Sequence, residues 1–434
     1  MATAMATITA THMKSPMERT DAQVIEPVAK ASRFRLVLLA AMAITGICLA
    51  TTTAAEQVLR KSNPDLALQI NPENANALTV KVQRLISDRG LEKPNTRKLI
   101  ESLAKRSIRS ELVNPRSLAA LGAVYEANGD RERAFPLFSV ASKMTQRELF
   151  AQLWLANYEA QDGKFEDALK HYDIMLRVSP RTSQLLFPVL AQAMVNPGSW
   201  PAYRQYFESP PEWFFSFVRF VIHDKNAIAP AVMIMSTGSR LPDSELYNAL
   251  EGETLGSLFQ RHNFVEAAKF MAAIGGGPKV GRSVSFSGDN RDDRFGPFAW
   301  QPSSNASVGG GYESQLGGTT PAFRASAAAI SSGVVLSKAL VLADGNYEFY
   351  VPYSFVEGGE ASQARWRGIC ADGQTLFDHA LRNTQAPRTA RIAFKVGAEC
   401  RGQTIQLIVT GGDTYPGVEV LILEPSLRSV QNTP

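Results

Sequence analysis

A self-similarity at 34 residues, between Pro115 and Pro180, constrains this chain more than any other feature. Gly129 recurs as Gly163, Ala134 as Ala168, Phe138 as Tyr172, and Leu121-Gly122 as Leu155-Ala156. Each unit opens with apolar residues at helical spacing (Leu118, Leu121, Val124 and Tyr125 in the first) and reaches an Asn-Gly-Asp or Asp-Gly-Lys turn. A second helical pattern follows the turn. The glycine accepts the left-handed backbone that closes the first helix. A helix pair this short buries too little to stand alone, so its stability has to come from stacking on the next pair. Small residues such as Gly122 and Ala134 permit close approach, and Tyr125 and Phe138 fill the space between pairs.

The order Leu-Gly-x-x-Tyr, Asn-Gly-Asp, then Ala134, Phe138 and Ala141 resembles the tetratricopeptide repeat. Asp162-Gly163-Lys164-Phe165, Ala168, Tyr172 and Ser179-Pro180 match it again, giving units over 115–148 and 149–182. The resemblance implies a helical solenoid whose first helices line a groove for protein partners. On that basis the groove residues are Arg116, Ala123, Glu126 and Ala127, then Phe150, Leu153, Asn157 and Gln161. Asn157 stands where the family often uses asparagine to hold a peptide backbone. The basic clamp that some members use for a C-terminal carboxylate has no evident counterpart. Leu66 to Pro72 resembles the end of a degenerate or capping repeat, and Leu255 to Ala273 repeats the overall shape, so the helical domain is expected over 56–274. Within it, Trp213 to Ile222 reads as a core helix rather than a membrane-surface one.

Residues 1–33 are polar and lack apolar periodicity, as expected of a disordered cytoplasmic tail. Leu36 to Ala55 carries no charge and follows Lys30, Arg33 and Arg35. Twenty such residues suffice to cross a hydrocarbon layer of ~30 Å. Two readings stand: an uncleaved membrane helix over 34–55, which we favour, and a signal peptide cut after Thr53-Ala54-Ala55. Either way the flanking cations stay inside and the body is translocated, in a bacterial inner-membrane and periplasmic setting.

Gly275-Gly276-Gly277-Pro278 is expected to be a linker, because neither helix nor strand tolerates that run. Beyond it the apolar period changes to two: Tyr347-x-Phe349-x-Val351, Ile392-x-Phe394-x-Val396 and Ile405-x-Leu407-x-Val409 alternate, with Gly/Asp turns between such runs. The pattern predicts an antiparallel β-sandwich of jelly-roll type over 279–426, with a tail at 427–434. The fold class is therefore α + β: membrane helix, solenoid, sandwich. Cys370 and Cys400 form an isolated pair in an exported chain, which points to one disulfide rather than two unrelated buried thiols.

A net charge of +4, with no basic stripe interleaved with aromatics, argues against nucleic acid as a partner. No nucleophile elbow, phosphate loop, dinucleotide fingerprint or metal-spaced histidine pair appears, so no catalytic, metal or cofactor residues are expected and the chain reads as non-enzymatic. Asp289 to Asp293 reads as a solvated turn in preference to a calcium loop. The sandwich resembles polysaccharide-recognition modules in architecture only. If it binds glycan, the ring-stacking candidates are Trp300, Tyr312, Tyr353 and Tyr415, near Gly/Pro-rich loops, while Trp366 falls in phase with the core. The expected function is a membrane-anchored scaffold for protein partners in cell-surface polysaccharide assembly or export. The alternative is a glycan-binding protein that works through its sandwich.

Overall fold

In the computed structural model, which describes residues 28–430 except 239, 278 and 315–320, fourteen α-helices precede the first strand. Most of the expected N-terminal tail, Pro278 of the expected linker and residues 431–434 lie outside the described residues. The first helix, α1 (Val28–Ser62), contains one span, Val37–Ser62, long and apolar enough to cross a membrane. Its Val37, Ile44, Ile47 and Leu49 side chains are all more than half exposed.

The chain forms two compact units, Met1–Ala134 and Phe135–Pro434. In the first, α2 (Pro64–Ile70), α3 (Ala75–Ser87), α4 (Pro94–Ser110) and α5 (Pro115–Ala127) follow α1. Pro64, Pro94 and Pro115 each open a helix, where a missing N–H costs nothing. Leu78, Val82, Ile100 and Val124 are fully buried. Among them sits a buried polar cluster. Asn114 caps α5 through Ser117 N (3.1 Å) and donates to Thr79 Oγ1 (2.9 Å) and Ser107 Oγ (3.1 Å), while Ser117 Oγ lies 2.9 Å from Thr79 Oγ1. Each of these buried groups is satisfied by another, as a low-dielectric site requires.

The second unit begins within α6 (Arg131–Met144) and continues through α7 (Leu149–Gln161), α8 (Phe165–Val178), α9 (Ser183–Met194), α10 (Trp200–Glu208) and α11 (Glu212–His223). Then come α12 (Ile228–Ser236), α13 (Glu245–Gln260) and α14 (Phe264–Ala273). Gly129 (φ 79°) and Gly163 (φ 74°) both adopt the left-handed backbone that the repeat calls for. Among the described residues eleven antiparallel strands follow: β1 (Gln301–Pro302), β2 (Val308–Ser314), β3 (Pro321–Ala327), β4 (Ser332–Leu340), β5 (Gly345–Gly358) and β6 (Gln363–Cys370). The last five are β7 (Thr375–Ala380), β8 (Arg388–Val396), β9 (Gln403–Thr410), β10 (Val418–Ile422) and β11 (Ser426–Val430). One sheet has the order β1-β4-β9-β6-β7; the other is β11-β5-β10-β3-β2, with β8 paired to β5. Strands β3 to β6 alternate between the sheets, the crossing pattern of a jelly roll. Phe323, Leu336, Phe349, Trp366, Leu407 and Val420 fill the space between them. Cys370 and Cys400 are disulfide-bonded, with Cα atoms 5.4 Å apart.

Two expectations are corrected here. The glycine run at 275–277 ends the helices but does not separate compact units. A Cβ on Gly276 would lie 2.6 Å from the Phe295 ring, and Gly252 of α13 crosses Gly296 so closely that neither position has room for one. The segment Asp293–Phe298 thus lies on α13, and Val280, Phe295, Phe298 and Ala339 share one core with α8–α14. Leu427 to Val430, expected as part of a tail, belongs to a strand that pairs with Phe349 to Asn346 on β5 and lays Leu427 against the sandwich core.

Candidate functional site

A wide concavity in the second unit opens between α9 and α11. Pro211 precedes α11, whose Phe214, Phe217, Val218, Val221 and Ile222 recur at helical spacing and are buried. That spacing leaves Trp213, Phe215, Arg219 and Phe220 on the other face. On α9, Leu186, Phe187, Leu190, Ala191 and Met194 turn inward, while Leu185 (75%) and Val189 (45%) stay exposed. A cavity of about 770 Å³ along Phe187, Phe215, Arg219, Phe220 and Asp224 adjoins one of about 520 Å³ along Arg177, Pro180, Glu212 and Trp213. Ser183, Phe187 and Ser216 line both, so the two form one trough.

The trough has an aromatic floor and ionic ends. Phe187 sits 5.4 Å from Phe217, 6.0 Å from Phe220 and 6.4 Å from Trp213, ring to ring. At one end the Asp173 carboxylate accepts from Trp213 Nε1 (2.7 Å) and Arg177 Nε (2.8 Å), which fixes the indole. At the other, Glu253 lies 3.4 Å from Arg219 Nε and 3.6 Å from His223 Nε2. Such a surface can bury apolar groups and orient a ligand at both ends. Among the described residues no group of His, Cys, Asp or Glu is arranged to hold a metal ion.

The groove candidates read from the repeat divide between the units. Arg116 and Glu126 belong to the first, where Glu126 accepts from Arg131 Nε at 3.2 Å and Ala123 is buried at 3%. Phe150, Asn157 and Gln161 belong to the second. Phe150 (43% exposed) meets Phe138 edge-on at 5.7 Å, in a column where Trp154 stacks on Phe138 (4.4 Å) and on Tyr158 (5.1 Å). Asn157 accepts from Tyr172 Oη at 3.2 Å, which ties α7 to α8, and Gln161 lies exposed at the end of α7. Near them, burial pushes the His171 imidazole below its ordinary range.

The ring-stacking candidates fare differently, and two are corrected. Trp300 is 2% exposed; its Nε1 donates to Val284 O and Ser285 O, both at 3.1 Å, and its ring meets Trp366 at 5.9 Å. Tyr353 is 3% exposed because it falls in the inward phase of β5, and its hydroxyl bridges to the backbone of Arg382. Both are core residues with no face for a sugar. Tyr312 is half-buried, with the Arg291 guanidinium 4.0 Å over its ring; burial holds its phenol well above the ordinary range against the pull of Arg291. Tyr415 alone of the four is open, at 93%. Its loop is held by Gly417 N to Thr414 O (3.0 Å) and Gly412 N to Ser362 Oγ (3.1 Å). In the Asp289–Asp293 turn, Asp292 caps Arg294 N (2.9 Å).

Two features escaped the sequence reading. The trough was unseen because α11 read simply as a core helix, although three rings outside the buried phase (Trp213, Phe215, Phe220) signalled a second apolar face. A second cleft, between α14 and the sandwich, gathers Lys269, Arg282 and Arg401 from three distant segments, and no local pattern announces it.

No family model matches the chain, and no curated protein matches it. The C-terminal β-sandwich resembles carbohydrate-binding modules among solved structures. One is TmCBM61 in complex with β-1,4-galactotriose, at 16% identity over 30% of this chain and 88% of that one, with a TM-score of 0.23. Another is the CBM22-1 xylan-binding domain of Paenibacillus barcinonensis Xyn10C, at 14% identity over 31% and 87%, TM-score 0.23. Bacteriophage CBA120 tailspike protein 4 matches at 9% identity over 30% and 19%, TM-score 0.23. At such TM-scores the likeness adds nothing to the strand order above and says nothing of a ligand.

Proposed function

We propose that this chain is a membrane-tethered, non-catalytic scaffold whose helical body seats an extended segment of a partner protein in the α9–α11 trough, outside the cytoplasm. The trough is the observation that carries the reading. A twelve-residue α11 measures about 18 Å, room for roughly five extended residues. Its rings supply the apolar anchors on which interfaces depend, and the ion pairs at each end set direction. The Cys370–Cys400 bond fits an oxidising compartment. Lys30, Arg33 and Arg35 ahead of the apolar span fit an inside-facing N-terminus. The tetratricopeptide-like hairpins suit the same role, and assembly or export of cell-surface polysaccharide is the setting we assign.

Ser216→Trp tests this. Ser216 is exposed and lines both halves of the trough, so an indole there obstructs the seat and leaves the core intact. Wild-type chain solubilised from membranes should retain a discrete envelope protein that the variant loses at unchanged helicity. Equal retention by both would refute the assignment. A second reading, glycan binding by the sandwich, is favoured by the open ring of Tyr415 in a braced loop. It predicts retention on a polysaccharide column that Tyr415→Ala abolishes.

A further inference from the structure

The cleft between α14 and the sandwich carries a second binding assignment, independent of the trough. It has a volume of about 530 Å³ and is lined by Phe264, Val265 and Lys269 from α14, by Arg282, by Val341 to Asp344 after β4, and by Arg401 after Cys400. Three cations line it against one carboxylate, Asp344. Among the described residues none of the three cations forms a salt bridge, and all three are exposed.

The walls of this cleft are fixed to one another. Gln403, only 1% exposed, accepts from Leu342 N (2.8 Å) and donates to Cys400 O, clamping the two segments that carry Asp344 and Arg401. Val341 N donates to Gly281 O at 2.7 Å, which seats the segment bearing Arg282. Gly402 lies so close to the Phe264 ring that a Cβ would run into it, and the Cys370–Cys400 disulfide holds the loop from below. Charges gathered on a rigid frame with an apolar wall form a preorganised receptor, which lowers the entropy cost of binding.

We propose that this cleft binds an acidic saccharide, with Lys269, Arg282 and Arg401 meeting its carboxylates and the accessible Val265 and Val341 meeting the apolar faces of its rings. Its size lies within the roughly 300–1,000 Å³ of organic-ligand sites, and an inorganic anion would leave most of it empty. An extended acidic peptide is disfavoured because the backbone here is already paired. Leu340 is in register with Gln403, and the N–H groups of Val341 and Leu342 are taken by Gly281 and Gln403. The charges choose the anion and the wall chooses the ring.

The test is calorimetry on the full chain in detergent with hexagalacturonate, its methyl ester, inorganic phosphate and hexaglutamate. We expect hexagalacturonate to bind, and its affinity to fall about tenfold or more in Lys269→Gln/Arg282→Gln/Arg401→Gln and with added salt. The methyl ester and phosphate should bind at least that much more weakly. Because all three side chains are exposed, the triple variant should keep its wild-type melting temperature. Val265→Asp, at the exposed lip, supplies a second variant and should also weaken binding. Equal affinity for acid and ester, tighter binding of hexaglutamate, or no saccharide binding would each overturn the assignment. Ser216→Trp should leave this binding unchanged, so its outcome and that of the trough are read separately.

Discussion

Lys338 offers the sharpest quantitative test of the packing between helices and sandwich. It lies on β4 at 1% exposure, in a buried run from Val335 to Leu340 interrupted only at Ser337, and its Nζ donates to Phe298 O. Burial pushes its pKa from 10.5 down to about 7. A base whose pKa is depressed on folding leaves the unfolded chain holding the extra proton between pH 7 and 10.5. Stability is therefore full above about 10.5 and falls as the pH drops toward 7. At ~1.4 kcal/mol per unit, the window of about 3.5 units sets an upper bound of ~4–5 kcal/mol on that loss. Lys338→Met keeps the apolar stem, removes the amine and leaves Phe298 O unpaired, which costs about 1–3 kcal/mol. The variant should thus be more stable than wild type at pH 7, by about 1–3 kcal/mol, and equal or less stable at pH 10. Urea unfolding of the full chain in detergent reads both states, since Trp300 and Trp366 report on the neighbouring core. Parallel pH profiles for the two proteins would refute the reasoning, because they would mean that Lys338 titrates alike folded and unfolded.

Three further outcomes follow from the same physics. Glu251 on α13 has its carboxyl raised to about 7 by burial, which Arg294 only partly opposes, so the folded state holds the extra proton between pH 4.5 and 7 and stability declines as pH rises through that window; Glu251→Gln should flatten the decline and stabilise the chain at pH 8 by up to about 3 kcal/mol, read by thermal melts at pH 5 and 8. Asn114→Leu removes the α5 cap on Ser117 N and the amide donor to the Thr79 and Ser107 hydroxyls, which keep their bonds to one another and to Ala75 O, costing about 1–2 kcal/mol in denaturant titrations. Gly252→Ala drives a methyl into the backbone at Asp293 and Gly296, and should cost about 1–3 kcal/mol or more, whereas Gly256→Ala four residues on, with only Pro297 at 3.7 Å, should cost far less.

Much of this architecture could be read from the chain because the features concerned are local. A helix hairpin repeats its glycine at a set interval, so Gly129 and Gly163 announced their left-handed turns. Alternation placed Phe349, Val351, Phe394 and Leu407 inside the sandwich without reference to partners. Tyr353 was legible too: it shares the phase of Phe349 and Val351, and that phase should have outweighed the nearby turn residues. Other features depend on contacts that no local pattern encodes. Glycines serve both flexible linkers and close crossings, and only Phe295, far along the chain, tells which use Gly276 has. A bulge between Val334 and Leu336 shifts the phase of β4, so Lys338 is buried at a position where alternation alone could not assign a face. Trp300 precedes the shortest strand, where there is no alternation to read.

The trough is the centre of the account, and site-specific photocrosslinking in living cells addresses it most directly. A photoreactive residue in place of Phe220, at the open edge of the aromatic floor, should give one discrete adduct with an envelope protein, and Ser216→Trp in the same chain should erase it. The same probe at Leu246, exposed on α13 away from the trough lining, should give none. Adducts of equal yield from both positions, or from position 220 with Ser216→Trp present, would contradict the claim that this surface seats a partner.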